Sequence, residues 1–465
     1  MDGAFMHPNM NRRRFLQQSA AATVSASALG FPAILRSASP NSMLQVACIG
    51  VARMGGNTMR SVATHPKVKI VSICDVDGNH LKEAATGKGS NRTGGVGFPD
   101  ASQHTDWRQM LRDHSDKFDA VTVGTPDHMH ASMAVQAMRL KKHVYLQKPM
   151  APTIHECRVI AQEAVKAGVV TQLGNQGRSG IEARMTVDLL RNGAIGKIKE
   201  AYFWEGKPLS WWPKNEELRA KGDTVPAELD WDSWIGVREP RPYFLETYHP
   251  QTWRAWRDFG VGELGDMGVH FFDGVFDALK LRAPKRVRQT ETGPIGTGLW
   301  AKNRTVEFEF PGNELIAGDT FKLTWCDGDA ARPARDVPMP AALKNFPKSG
   351  HLWIGESGQI FKPYGQRPWV LPEDSFPAEK YPRDYAKQDH YHDWVDAIFA
   401  GKKSCADFSH GGPLTETVLM GTLAENYPNQ WLEWDRDAMS ITNLSEANKL
   451  LKREYRDGWK IEGLG

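Results

Sequence analysis

At 465 residues the chain exceeds what one hydrophobic core ordinarily serves, so two domains are expected. A net charge of +3, with no basic cluster interleaved with aromatics, argues against a nucleic-acid partner. The five cysteines, at 48, 74, 157, 326 and 405, are odd in number and form no C-x-x-C pair, which argues against a zinc knuckle and a complete disulfide framework.

The chain begins with a targeting pattern. Arg12 and Arg13, one further residue, then Phe15 and Leu16 precede a weakly apolar stretch rich in Ala and Ser. This is the twin-arginine export pattern, with Asn11 where Ser or Thr is usual. The stretch is too short for a permanent transmembrane helix, so export to the periplasm without stable membrane insertion is expected. Cleavage after Ala28 or near Ala38 fits, and residues 1–43 are assigned to signal and linker. Twin-arginine export carries folded proteins, which hints at a cofactor bound before export.

Residues 44–174 read as a dinucleotide-binding domain. L-Q-V-A-C-I-G from Leu44 predicts a strand, G-V-A-R-M-G-G a tight turn, and the following residues a helix. Gly50 permits the turn, Gly55 close packing of helix on strand, and the helix N-terminus, with Arg53 and Met54, offers N–H groups to a pyrophosphate. Ala52 stands where the middle glycine is usual. The next strand ends at Asp75, whose carboxylate suits a ribose diol and would repel a 2'-phosphate, so NAD is preferred over NADP. Further alternation of strand and helix implies a parallel, doubly wound sheet. Its carboxyl ends place Thr125, Pro126, His128, His130, Gln147 and Lys148 on the ligand side.

Residues 175–449 are assigned to the second domain. Asn175 and Arg178 fall at the junction, as substrate contacts or as a polar linker. Seven tryptophans lie between 204 and 256 (204, 211, 212, 231, 234, 253 and 256), most of them structural and one or two expected in the pocket. Asp266, His270 and Asp273 have helical spacing, opposite Val269, Phe272, Phe276 and Leu279. Gly265 and Gly268 imply a close approach to that helix. D-H-Y-H-D at 389–393 is read as packing or surface, and no metal site is expected. Residues 450–465 read as a peripheral tail.

Together G-V-A-R-M-G, Q-K-P and D-M-G-V-H-F-F-D resemble the glucose-fructose oxidoreductase, inositol dehydrogenase and MocA (Gfo/Idh/MocA) family. The stretches at 230–238 and 248–262 are similar to an exported subgroup with an extended C-terminal domain. The resemblance implies a Rossmann domain followed by an α/β domain on a large open mixed sheet, which often mediates homo-oligomerisation. It also implies hydride transfer between a nicotinamide and a CH–OH carbon of a sugar or cyclitol. The family's lysine maps onto Lys148, in a motif where Gln147 replaces the usual Glu, and its aspartate and histidine map onto Asp266 and His270. In that chemistry His270 takes the hydroxyl proton, Asp266 orients the imidazole or the substrate, and Lys148 stabilises the developing alkoxide. Two alternatives use the same residues: an NAD-dependent glycosidase working by transient oxidation and elimination, and a cofactor-binding sensor without turnover. A tightly held NAD recycled between two substrates would suit an exported enzyme.

Overall fold

The computed structural model describes residues 43–88, 95–206, 212–214, 221–293, 297–329, 331–381 and 383–465. The export pattern and Trp211 lie outside them. The first half alternates β1 (Leu44–Ile49), α1 (Arg53–Ala63), β2 (Val68–Cys74), α2 (Gly78–Thr86), β3 (Ser102–His104), α3 (Trp107–His114), β4 (Ala120–Val123), α4 (His130–Arg139), β5 (His143–Leu146), α5 (Ile154–Ala167), β6 (Thr171–Leu173) and α6 (Ile181–Arg191). Among the described residues its six strands are all parallel, in the order β3-β2-β1-β4-β5-β6. Every residue of β4 and β5 is buried, as a sheet covered on both faces requires.

The second half contains β7 (Ile198–Glu205), α7 (Trp231–Ile235), α8 (Gly262–Ala278), β8 (Arg286–Thr292), β9 (Arg304–Pro311), β10 (Thr320–Asp327), β11 (Ser349–Gly355), β12 (Gln359–Pro363), β13 (Trp369–Leu371), α9 (His390–Ala400), α10 (Phe408–Leu423), β14 (Leu432–Asp435) and β15 (Ser440–Ile441). Its strands form a nine-stranded mixed sheet, β13-β12-β11-β7-β10-β9-β8-β14-β15, in which β7 and β10 are the parallel pair among the described strands. The expected fold class, a doubly wound parallel sheet followed by a large open mixed sheet, is what the chain adopts.

Helix α8 lies on the mixed sheet through its apolar stripe. Phe272 meets Phe203 edge-on at 5.5 Å and Phe276 meets Phe310 at 6.0 Å. Its glycines serve a second helix: a Cβ on Gly268 would lie 3.1 Å from Val418, and one on Gly265 would lie 3.5 Å from Thr422, both on α10. The close approach that these glycines imply is therefore helix packing. Likewise D-H-Y-H-D is packing: Asp389 caps α9 by accepting from the N–H groups of Tyr391 and His392, while Tyr391 stacks on Tyr145.

A strap between residues 222 and 261 has its own aromatic core, built from Trp231, Trp234, Tyr248, Trp256 and Phe259 among others. It adheres to the Rossmann domain by backbone hydrogen bonds, Gly78 N–H to Glu228 O (2.8 Å) and Asp230 N–H to Val76 O (2.9 Å).

The final segment departs from expectation, because residues 450–465 are a packed belt. Leu451, Tyr455, Trp459 and Leu464 are buried, although the segment that carries them is neither helix nor strand and the four-residue spacing of the first three reflects no helical face. Tyr455 and Arg453 both donate to the Glu156 carboxylate (2.6 and 3.0 Å), and the Arg108 guanidinium lies 3.9 Å over the Trp459 ring. The belt thus fastens the end of the chain to α3 and α5. Trp459→Ala is expected to cost about 3 kcal/mol through the cavity it leaves, read as a lowered urea midpoint at constant slope.

Candidate active site

The carboxyl ends of β1, β2, β4 and β5 face the strap and the start of α8, enclosing a cavity of about 510 Å³. Its floor is three glycines in contact. Gly50 turns with φ +76°, a Cβ on Gly55 would lie 2.0 Å from the Gly50 carbonyl oxygen, and one on Gly124 would lie 2.4 Å from the Gly55 Cα. No side chain fits at the crossing, so the N-terminus of α1 lies directly on the strand ends. Ala52 is the N-cap of α1 with φ −102°, an ordinary conformation for an L-residue, and it supplies no side-chain cap. The methyl group therefore costs no backbone strain, and the N-terminus of α1 meets the cavity through Ala52, Arg53 and Met54.

Arg53, Met54, Asp75, Thr125, Pro126, Gln147 and Lys148 all line this cavity together with Asp266 and His270. Asp75 accepts from the Val51 N–H (3.0 Å) and the Asp77 N–H (3.0 Å), which fixes its carboxylate at the end of β2. Gln147 donates to Thr58 Oγ1 on α1 (2.8 Å), so the residue standing for the usual Glu ties β5 to the glycine-turn helix.

Lys148 Nζ lies 3.0 Å from Asp266 Oδ2 and donates to the Asp266 backbone oxygen at 2.9 Å. The other carboxylate oxygen receives Arg254 Nε from the strap at 3.3 Å. Burial works against the charge on Asp266, but Lys148 and Arg254 outweigh it and bring its pKa down to about 2. Asp266 is therefore an anion that positions the lysine. The imidazole is oriented by Asn175, whose Oδ1 accepts from His270 Nδ1 while its Nδ2 donates to the Val269 oxygen (3.1 Å). That network assigns the tautomer and leaves Nε2 as the basic atom. Burial, reinforced by Lys148, lowers the His270 pKa to about 3, so the ring is neutral near pH 7.

Three expectations need correction. His128 and His130 are not in the cavity; both are fully buried behind it. His128 Nε2 donates to the Trp234 oxygen (2.9 Å), and the His130 ring nitrogens face the carbonyl oxygens of Pro149 (2.8 Å) and Thr125 (2.9 Å). Their position just after a strand end resembles that of ligand residues, but the short 3₁₀ turn Asp127–Met129 directs them inward. Arg178 is also committed elsewhere, to Asp273 (3.1 Å) and Asp277 (3.1 Å) on α8 and to the Cys405 carbonyl. Asp273 consequently belongs to this clasp and not to the cavity. Asn175 reaches the site only through His270.

The sequence reading missed His80, Trp107, Asp127, His249, Gln251 and Arg254, all of which line the cavity. Three of the six, His249, Gln251 and Arg254, come from the strap, whose irregular backbone carries no periodicity. Of the tryptophans between 204 and 256, Trp234 and Trp253 do line it, in keeping with one or two. Asp127 is buried with its Oδ2 unpartnered among the described residues. Burial, aided by the negative charge of Asp266, holds its pKa well above the usual carboxylate range.

Burial similarly lowers the pKa values of His128 to about 3 and His130 to about 4. Unfolded histidine takes up its proton near 6.5, so between pH 6.5 and about 4 the unfolded chain binds more protons than the folded one. Stability is complete above pH 6.5 and is lost as the pH falls through that window. The urea midpoint is expected to decline accordingly, and His270→Gln should lessen the decline; a midpoint that stays level down to pH 4 would show these rings to be protonated in the fold.

Comparison with known proteins gives the same outline. A family model described as an oxidoreductase family with an NAD-binding Rossmann fold matches residues 44–175, and the family's C-terminal alpha/beta domain model matches residues 195–288. A glycosyl hydrolase family 109 protein of Shewanella pealeana is 26% identical over 426 residues, covering 88% of this chain and 83% of its own. The WlbA dehydrogenase of Bordetella pertussis, solved with NADH and UDP-GlcNAcA, is similar with a TM-score of 0.59 and 16% identity, over 84% of this chain and 99% of its own. An aldose-aldose oxidoreductase from Caulobacter crescentus, complexed with glycerol, gives a TM-score of 0.52 and 15% identity, over 84% of this chain and 100% of its own.

Proposed function

Because the chain belongs to the Gfo/Idh/MocA oxidoreductase family, we propose that it transfers a hydride between NAD and a CH–OH carbon of a sugar, cyclitol or glycoside. The observation that carries this reading is the meeting of Lys148, Asp266 and His270 in one cavity with the glycine turn and Asp75.

The residues fit the cofactor. The three-glycine crossing leaves room for a pyrophosphate at the start of α1, and the fixed Asp75 carboxylate suits a ribose diol. When bound, NAD supplies the hydride acceptor or donor. The chain's own groups manage the proton and the charge. His270, neutral and held by Asn175, takes the hydroxyl proton on Nε2. The Lys148 ammonium, fixed by Asp266, hydrogen-bonds the same oxygen and stabilises its developing negative charge. Trp234 and Trp253 line the cavity, where aromatic side chains suit the C–H side of a sugar ring.

A second reading is favoured by one observation, the family 109 glycosyl hydrolase that aligns along most of the chain. The same groups would serve a glycosidase in which transient oxidation acidifies a neighbouring C–H and elimination releases the aglycone. Export to the periplasm is supported by Arg12 and Arg13 in their twin-arginine setting. Homo-oligomerisation through the mixed sheet is supported by its breadth and by the family's habit.

Lys148→Ala is expected to lower kcat/KM by roughly 100-fold or more while retaining NAD binding; a fully active variant would remove Lys148 from the mechanism. Asp75→Ala should relax the preference for NAD over NADP, measured as the ratio of their dissociation constants, and an unchanged ratio would reject the ribose assignment. Incubation with NAD and a panel of sugars, cyclitols and glycosides, followed by nicotinamide absorbance and NMR, separates the two readings. A ketosugar with NADH establishes the dehydrogenase, and released aglycone without net NADH the glycosidase.

A further inference from the structure

At the Asp75 end of the cavity, three ligand-type side chains from two parts of the chain converge. Asp77 is the N-cap of α2, His80 lies in its first turn, and His249 comes from the strap. We propose that Asp77, His80 and His249 hold a divalent transition metal of the zinc or cobalt type, which staples the strap to the Rossmann domain.

Asp77 Oδ2 lies 3.0 Å from His249 Nε2 and 3.8 Å from His80 Nε2, and the three ligand atoms fall within 4.8 Å of one another. Tetrahedral zinc with bonds of about 2.0–2.2 Å separates its ligand atoms by about 3.4 Å. The two observed separations bracket that distance. The 3.8 Å spacing is too long for a hydrogen bond, so the approach of His80 Nε2 is not explained by one.

The outer contacts match as well. His80 Nδ1 faces Asp75 Oδ1 at 3.4 Å, the carboxylate–histidine arrangement that leaves Nε2 as the ligating lone pair. The Asn79 N–H occupies Asp77 Oδ1 (2.9 Å), directing Oδ2 toward the two imidazoles. Both histidines line the cavity, so a fourth position opens onto it. One carboxylate with two imidazoles and an open position suits zinc or cobalt better than magnesium or calcium, which prefer oxygen ligands.

The site joins α2 to a loop well over a hundred residues later, and a bound ion would oppose lifting of the strap. Metal binding itself requires neither cofactor nor substrate, so its test stands apart from the hydride-transfer reading. The effect on NAD release rests on that reading.

The test is calorimetric titration of the full chain, freed of metal by EDTA, with zinc chloride, and absorption spectroscopy with cobalt chloride. The expected result is one zinc per chain and the visible absorption of four-coordinate cobalt, both abolished by His249→Gln and by His80→Gln. Asp75→Asn should weaken zinc binding by about 10-fold to 100-fold. Melting of each variant without metal, at the wild-type temperature, establishes that the fold is intact. NADH release, followed by its fluorescence, should slow with zinc in the wild type and not in His249→Gln. No zinc binding, or equal binding by wild type and both histidine variants, would overturn the site. NADH release at the same rate with and without zinc would overturn the staple.

Discussion

The Asp266 carboxylate is the contact on which the rest of the site depends. It is buried, and both its oxygens are used, one by Lys148 from the end of β5 and the other by Arg254 from the strap. Two cations that would otherwise repel each other are held a few ångströms from one anion, and the end of β5, the strap and α8 meet there. Removing one partner of a buried ion pair leaves an uncompensated charge, which is far more costly than the pair itself is favourable. The arrangement therefore fixes the lysine in place and closes the strap over the cavity by the same interaction.

Helix α8 shows how one segment serves both packing and chemistry. Its phenylalanines lie on the mixed sheet, its glycines admit α10, Asp273 pairs with Arg178, and Asp266 and His270 reach the cavity. A helix buried on nearly every side leaves little freedom in where those two polar groups sit. Precision at the site is thus inherited from the core beneath it.

The parts legible in the sequence are those governed by periodicity or by a backbone requirement. Alternating strands and helices announced the parallel sheet, and Gly50 and Gly55 announced a crossing where no Cβ fits. Lys148, Asp266 and His270 stood out because a strand end and a helical repeat placed them. The same reasoning misplaced His128 and His130, since a strand end does not reveal which way a short 3₁₀ turn points its side chains. It left Asp266 to orient either the imidazole or the substrate; in the structure Asn175 holds the imidazole and Asp266 holds Lys148. Arg254, His249 and Gln251 were illegible because the strap is held by its aromatic cluster and not by a repeating pattern.

The belt formed by the last residues has a consequence for how the molecule comes together. Leu451, Tyr455, Trp459 and Leu464 cover a surface near α3 and α5 that was synthesised some three hundred residues earlier. On the ribosome the Rossmann half emerges long before its cover exists, and its exposed apolar surface must wait for the whole second domain. Such distant pairing is slow and leaves an interval open to aggregation. A growing chain of this protein is therefore vulnerable from the release of α3 and α5 until residues 450–465 emerge to cover them.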